Sequence, residues 1–243
     1  MIGIALTLRR ARAFVSRGIN VAVDLLGSLP IPPQEVLAIA RWVTLYGDQL
    51  IRALDEYDTA WPGGSAARDA LADSITAEAA AEGSLSHESF QRISVWGFRR
   101  RVPGLDDDSV RSATREAFRL RAAGQQDAAI RALCDLPGVG VSTASKVLAM
   151  SDPDRSAIYD SRAATALHEL RDQDGRPLIP IPPGRGRRGS GTSSQHADAY
   201  PHYLLILRAI VIIARLVPRL RRLRTIEDVE KALFVLGGRL AAE

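Results

Sequence analysis

The chain has 243 residues, 46% of them hydrophobic and 25% charged, with a formal net charge of +4. That is ordinary globular composition, enough for one large domain or two small ones with a proper core. A single cysteine, Cys134, excludes an internal disulfide, a cysteine-ligated iron–sulfur cluster and a CxxC zinc site.

The N-terminal stretch MIGIALTLRRARAFVSRG has a short apolar start followed by arginines. It lacks a long apolar region and a small-residue cleavage site, so it is not read as a signal peptide, and a reducing cytoplasm is the expected compartment. Ala, Leu and Arg dominate, apolar spacings of three and four recur, and no run alternates as a strand would. The expected class is therefore all-α. Helices are expected at 5–16, 34–56, 65–81, 87–96, 108–123, 126–135, 141–150, 161–172, 201–217 and 226–242. SLPIPPQ at 28–34 and WPGG at 61–64 are breaks. Trp42 and Tyr46, four apart on the second of these helices, are candidate walls of a pocket, although such pairs are more often core.

Trp96 and Phe98 precede a basic cluster, Arg99, Arg100 and Arg101, at the start of a loop. Aromatics beside arginines suit stacking with phosphate contact; a solvated helix end over two core aromatics fits equally. Asp106, Asp107 and Asp108 follow in VPGLDDDS and are read as caps of the next helix rather than as a metal site.

Residues 126–150 read as helix, tight turn, helix. The turn is PGVG, Pro137, Gly138, Val139 and Gly140, with Ser142, Thr143 and Lys146 on the helix that follows. Glycine permits positive φ and removes side chains that would block an approaching ligand. The amides of the turn and of the next helix N-terminus can cradle a phosphate oxygen. Nothing here reads a base edge, so the turn would position a backbone without specifying sequence. Beyond it, SDPDRS and the apolar AIY lead to one carboxylate, Asp160, with Tyr159 beside it as a further pocket candidate.

LPGVGVSTASKVL resembles the helix-hairpin-helix of DNA-binding proteins. The hairpin, the apolar approach and the aspartate at the next helix start, 18 residues after Ser142, resemble the helix-hairpin-helix DNA glycosylase superfamily. The resemblance covers about 135–168. It implies two helical subdomains with the active site in the cleft between them: 1–95 with 198–243, and 96–172, with 173–197 as a Pro/Gly/Arg-rich loop. It also implies that Asp160 stabilises the oxocarbenium-like sugar formed as a base leaves, or activates water. As a plain cap, Asp160 would sit in the same place. Departures are Ser161, Arg162 and Ala163 after the aspartate, Thr165 where the family has arginine, and no four-cysteine loop; they imply a divergent branch. Family members that also cut the strand use a lysine amine, and the matching position here is Ser142. Lys146 lies one turn further on and is expected to face elsewhere, as a phosphate contact or a solvated end. Lys146 and Lys231 are the only lysines, so the resemblance implies base removal without strand cleavage. The other basic residues are arginines, a bias that suits bidentate phosphate contacts and that a genome rich in G and C would equally produce.

The segment 171–200 is a long loop rich in Pro, Gly, Ser and Arg. Its RGRR, beginning at Arg185, is a second expected DNA contact. YLLILRAIVIIARLV at 203–217 carries Arg208 and Arg215 and is too short to span a bilayer, so it is read as a core helix. His168, His196 and His202 have no partners at metal-ligand spacing, and RLRRLR at 219–224 is read as a solvated face. The expected partner is DNA, with no membrane, and the chain is expected to be a monomer in a bacterial cytoplasm, associated with the nucleoid. No cofactor is expected; a monovalent cation at the hairpin is the one candidate. The substrate expected from the resemblance is an alkylated or oxidised base, or a hypermodified cytosine of the kind phages carry. A non-enzymatic hairpin protein and a metal nuclease using Asp106, Asp107 and Asp108 are the competing readings.

Overall fold

The computed structural model describes residues 29–61, 63–183 and 190–241. The expected helix at 5–16 and the RGRR segment with Arg185 lie outside the described residues. Among those described, the protein is all-helical, with nine α-helices, one 3-10 turn at Pro218–Leu220 and no strand. The helices are α1 Pro33–Ala60, α2 Gly64–Glu82, α3 His87–Phe98, α4 Asp107–Ala122, α5 Gln126–Cys134, α6 Val141–Ser151, α7 Ser161–Ala166, α8 Ser193–Leu216 and α9 Ile226–Leu240.

Local chemistry sets most of these boundaries. α1 opens with proline in its first turn, where no amide hydrogen is needed. Its apolar stripe, Val36, Ile39, Val43, Leu50 and Tyr57, keeps helical spacing and is buried. The Asp106 carboxylate caps α4, accepting from the Ser109 amide and hydroxyl at 2.8 Å each. Asp107 accepts from the His87 amide at 2.7 Å and pairs with Arg111. These two aspartates do the structural work expected of them.

Two boundaries differ most from the sequence reading. α7 ends at Ala166, and the chain then turns back, with the Leu178 amide donating to the Leu170 carbonyl at 2.9 Å. α8 begins at Ser193, eight residues before the expected start, and carries Pro201 inside it. A reciprocal capping box between Thr192 and Gln195 fixes that earlier start. At 24 residues α8 is long and apolar enough to cross a membrane by length and composition. Here Leu204, Ile206, Leu207 and Ile210 are all but inaccessible, and α8 packs on α1, α5, α6 and α9. Each such side chain contributes roughly 1.5–3 kcal/mol on burial.

α9 lies across α7 and α1. It approaches α7 at Gly237, where a Cβ would stand only 1.8 Å from the Arg162 carbonyl oxygen. This contact fixes the short helix whose first turn Asp160 caps.

Candidate active site

The turn between α5 and α6 needs glycine at one point. Gly138 has φ +75, whereas Gly140 is extended at φ −104. Space around Gly140 is open, so a side chain is absent there rather than a special conformation required. The Val139 amide donates to Leu136 at 3.1 Å. The amides of Gly138, Gly140, Val141 and Ser142 donate to no acceptor among the described residues, as a helix N-terminus leaves them. Pro137, Gly138 and Gly140 are exposed, while Val139 and Thr143 are buried. The side chains of those two are core, and their amides are already donated, to the Leu136 and Gly140 carbonyls.

The approach to Asp160 is a buried extended segment with no sheet to satisfy it. Side chains take over that role. The Tyr200 hydroxyl donates to the Ala157 carbonyl at 3.0 Å, and the Tyr203 hydroxyl donates to Ile158 at 2.8 Å. The Tyr159 amide donates to the Ser145 hydroxyl at 3.0 Å. Asp160 then divides its two oxygens. Oδ1 accepts from the amides of Arg162 and Ala163, both at 3.0 Å, and caps α7. Oδ2 faces Lys146 Nζ at 4.0 Å, and the side chain is 14% exposed.

Asp160 borders a cavity of about 320 Å³, within the range of small-molecule sites. Aromatic walls come from Tyr57, Trp61, Trp96, Phe98 and Phe234. Trp61 packs against Trp96 at 5.4 Å and edge-on against Phe234 at 5.1 Å. Polar groups come from Arg99, Ser142, Lys146, Asp160, Arg162 and Glu230. Arg99, at φ +56, ends α3 in a left-handed conformation and lines the cavity; it and Arg100 are exposed.

Lys146 does not face elsewhere, nor is it a solvated end: it lines the cavity. It is 4% exposed, and Nζ donates to the Ser142 carbonyl at 3.2 Å and the Ser142 hydroxyl at 3.0 Å. It also lies 4.5 Å from the centre of the Phe98 ring. The stem fits because residue 97 is glycine: a Cβ there would meet Lys146 Cδ at 2.6 Å. Burial lowers the lysine from its ordinary value, against the opposing effect of Asp160.

Three of the four expected pocket residues also fall elsewhere. Tyr159 is fully buried, stacks on Tyr203 at 4.9 Å and donates to the Pro180 carbonyl. Trp42 and Tyr46 stack on each other at 5.1 Å and do not line the cavity. Only Trp96 does. Sequence reasoning missed Tyr57, Trp61, Phe234 and Glu230. Glu230 is 2% exposed and pairs with Arg68, which also meets Glu227 at 3.1 Å. Burial pushes the Glu230 carboxyl up, against the pull of Arg68.

No family model, curated protein or solved structure matches this chain.

Proposed function

We propose that this protein is a DNA glycosylase of the helix-hairpin-helix kind. It would take a flipped nucleotide into the cavity and hydrolyse its N-glycosidic bond, leaving an abasic site. One observation carries this reading. Asp160 borders an aromatic cavity whose wall includes Ser142, at the end of a turn with four undonated amides. The turn would hold the flanking phosphate. The aromatic walls would stack on the extruded base. Asp160 Oδ2 would meet the positive charge that develops on the sugar. The exposed Arg99 and Arg100 would add phosphate contacts that carry no sequence information.

On this reading the chain has two helical subdomains, 1–95 with 198–243 and 96–172. The cavity draws walls from both: Tyr57, Trp61, Glu230 and Phe234 from one, and Trp96, Lys146 and Asp160 from the other. The substrate is a damaged base or a hypermodified, phage-type cytosine, the latter giving a role in defence. The Glu230 carboxylate suits a base with an exocyclic amino group, which can donate to it.

The test is base release from duplexes carrying undamaged, alkylated, oxidised or phage-modified bases, comparing wild type with Asp160→Asn. Asparagine caps as well as aspartate, so the variant should keep its folding stability within about 0.5 kcal/mol while losing base release. Activity unaffected by a chelator excludes the metal nuclease reading. DNA binding with strong salt dependence, unchanged in the variant and with no base released, would establish the non-enzymatic alternative.

A further inference from the structure

Glu230 enters the cavity wall already paired. It and Glu227 lie one turn apart on α9, and Arg68 of α2 bridges them: Nε meets Glu227 at 3.1 Å and Nη2 donates to Glu230 Oε2. Both Arg68 and Glu230 are buried. Glu227 is held a second time, by Lys231 at 2.9 Å. Glu230 Oε1 accepts from no donor among the described residues, although the residue lines the cavity. A buried ion pair is weak support for a fold, since apolar residues of similar volume often replace it without loss. What this one supplies is an oxygen of fixed position and fixed charge. An ionised carboxylate only accepts hydrogen bonds, and a guanidinium cannot give up its own charge to relieve the pair. Tyr57, on the same wall, is raised to about 12 by burial and keeps its proton. A neutral hydroxyl donates or accepts, so it discriminates nothing.

We infer that Glu230 sets the specificity of this cavity, rejecting oxo bases in favour of their amino counterparts, and that Arg68 is the positioning residue that holds it as a fixed acceptor. The inference rests on the cavity receiving a base, as proposed above, and extends that reading from what the site accepts to what it excludes. The amino group of cytosine, adenine or a derivative that keeps it donates to the carboxylate. Uracil and hypoxanthine place a carbonyl oxygen there instead. Two acceptors then face each other, and the carboxylate has lost water with nothing in return. The aromatic walls do not tell the two apart, because stacking uses the ring faces and not the edge. The bridge makes the rejection hold. An unpaired glutamate would swing away, or take a proton and donate; Arg68 prevents both. Bases formed by hydrolytic loss of the amino group thus lie outside the substrate range.

The experiment uses the full chain, a duplex with one tetrahydrofuran abasic analogue, and free bases in pairs that differ in this group: cytosine against uracil, adenine against hypoxanthine. The analogue leaves the cavity open to a free base, and quenching of Trp61 and Trp96 in its wall reports binding. The amino member of each pair should bind about 10- to 100-fold tighter. Glu230→Gln, whose amide also donates, should make the two nearly equal. Arg68→Gln should lose the preference, and Arg68→Lys, which keeps the charge, should retain most of it. The ratio within a pair does not depend on how much of a variant is folded, so a merely structural role for Arg68 would leave it unmoved, and an unmoved ratio in Arg68→Gln would overturn its part. Equal binding within both pairs, tighter binding of the oxo member, a preference that survives in Glu230→Gln, or no binding of any base would overturn the inference. The two proposals fail separately. A clear amino preference with no base released from any duplex sinks the glycosylase reading alone. Asp160-dependent release of a base that lacks an amino group sinks only the selection by Glu230.

Discussion

Replacing Gly237 by alanine tests whether the contact between α9 and α7 holds the site together. The added Cβ would stand 1.8 Å from the Arg162 carbonyl oxygen, 2.7 Å from its carbon and 3.0 Å from the Ala166 nitrogen. All three are backbone atoms, so no rotamer change can relieve the clash. Since close packing tolerates nothing much nearer than 3.0 Å, the two helices must part by roughly 1.2 Å at this point. Alanine recovers at most about 1 kcal/mol of helix propensity. Overpacking costs about 1–3 kcal/mol, at the upper end when backbone must move. The expected net loss is about 2 kcal/mol, read as a lower urea midpoint at unchanged slope. Activity should fall further, because α7 carries the Asp160 cap while Glu230 and Phe234 ride on α9. A displacement of about 1 Å between groups that act on one substrate costs on the order of 100-fold in rate. Base release would report it. Gly238→Ala is the control: its Cβ meets only Arg162 Cδ, at 3.9 Å, so it should be neutral or slightly stabilising. An unchanged midpoint and unchanged rates in Gly237→Ala would refute the argument.

Lys146→Met separates the effect of burial on the amine. Between its lowered folded value and the ordinary 10.5, the unfolded chain binds more protons, so wild-type stability should climb with pH through that window relative to the variant. Below the window the difference should be flat; urea titrations across pH that show a fall, or no change anywhere, would contradict burial as the cause. Arg68→Met leaves Glu230 buried without its partner and should cost about 3–5 kcal/mol. Adding Glu230→Leu should recover most of that stability in the same denaturation assay.

The helices and Asp160 were legible because their signals are local. Capping residues, proline breaks and spacings of three and four are written where they act. The earlier start of α8 was legible too, in Thr192 and Gln195 three residues apart, but Pro201 was the louder signal. The error at Tyr159 has a simple geometric cause. In an extended segment alternate side chains face opposite ways, so Ile158 and Asp160 line the cavity while Tyr159 turns toward Tyr200 and Tyr203. The orientation of Lys146 was available by the same reasoning, since four residues along a helix return to the same face. Trp61, Phe234 and Glu230 were not legible. Trp61 ends α1 and the other two belong to α9, more than 150 residues on in the sequence, and only the packing of those helices brings them to one wall. Local pattern carries no such information.

The way residues 157–159 are held gives the carboxylate an unusual kind of adjustability. A strand in a sheet is quantised: it keeps its register or slips a whole residue, which turns every side chain to the other face. This segment instead hangs from three hydroxyls, those of Tyr200 and Tyr203 on α8 and Ser145 on α6. Hydroxyl hydrogen bonds tolerate small changes of length and direction, so the segment can settle by tenths of an ångström as those helices shift. The height of Asp160 over the cavity floor is thus a continuous quantity. It can be retuned from positions that never touch a substrate, without any break in the ladder that a sheet would impose.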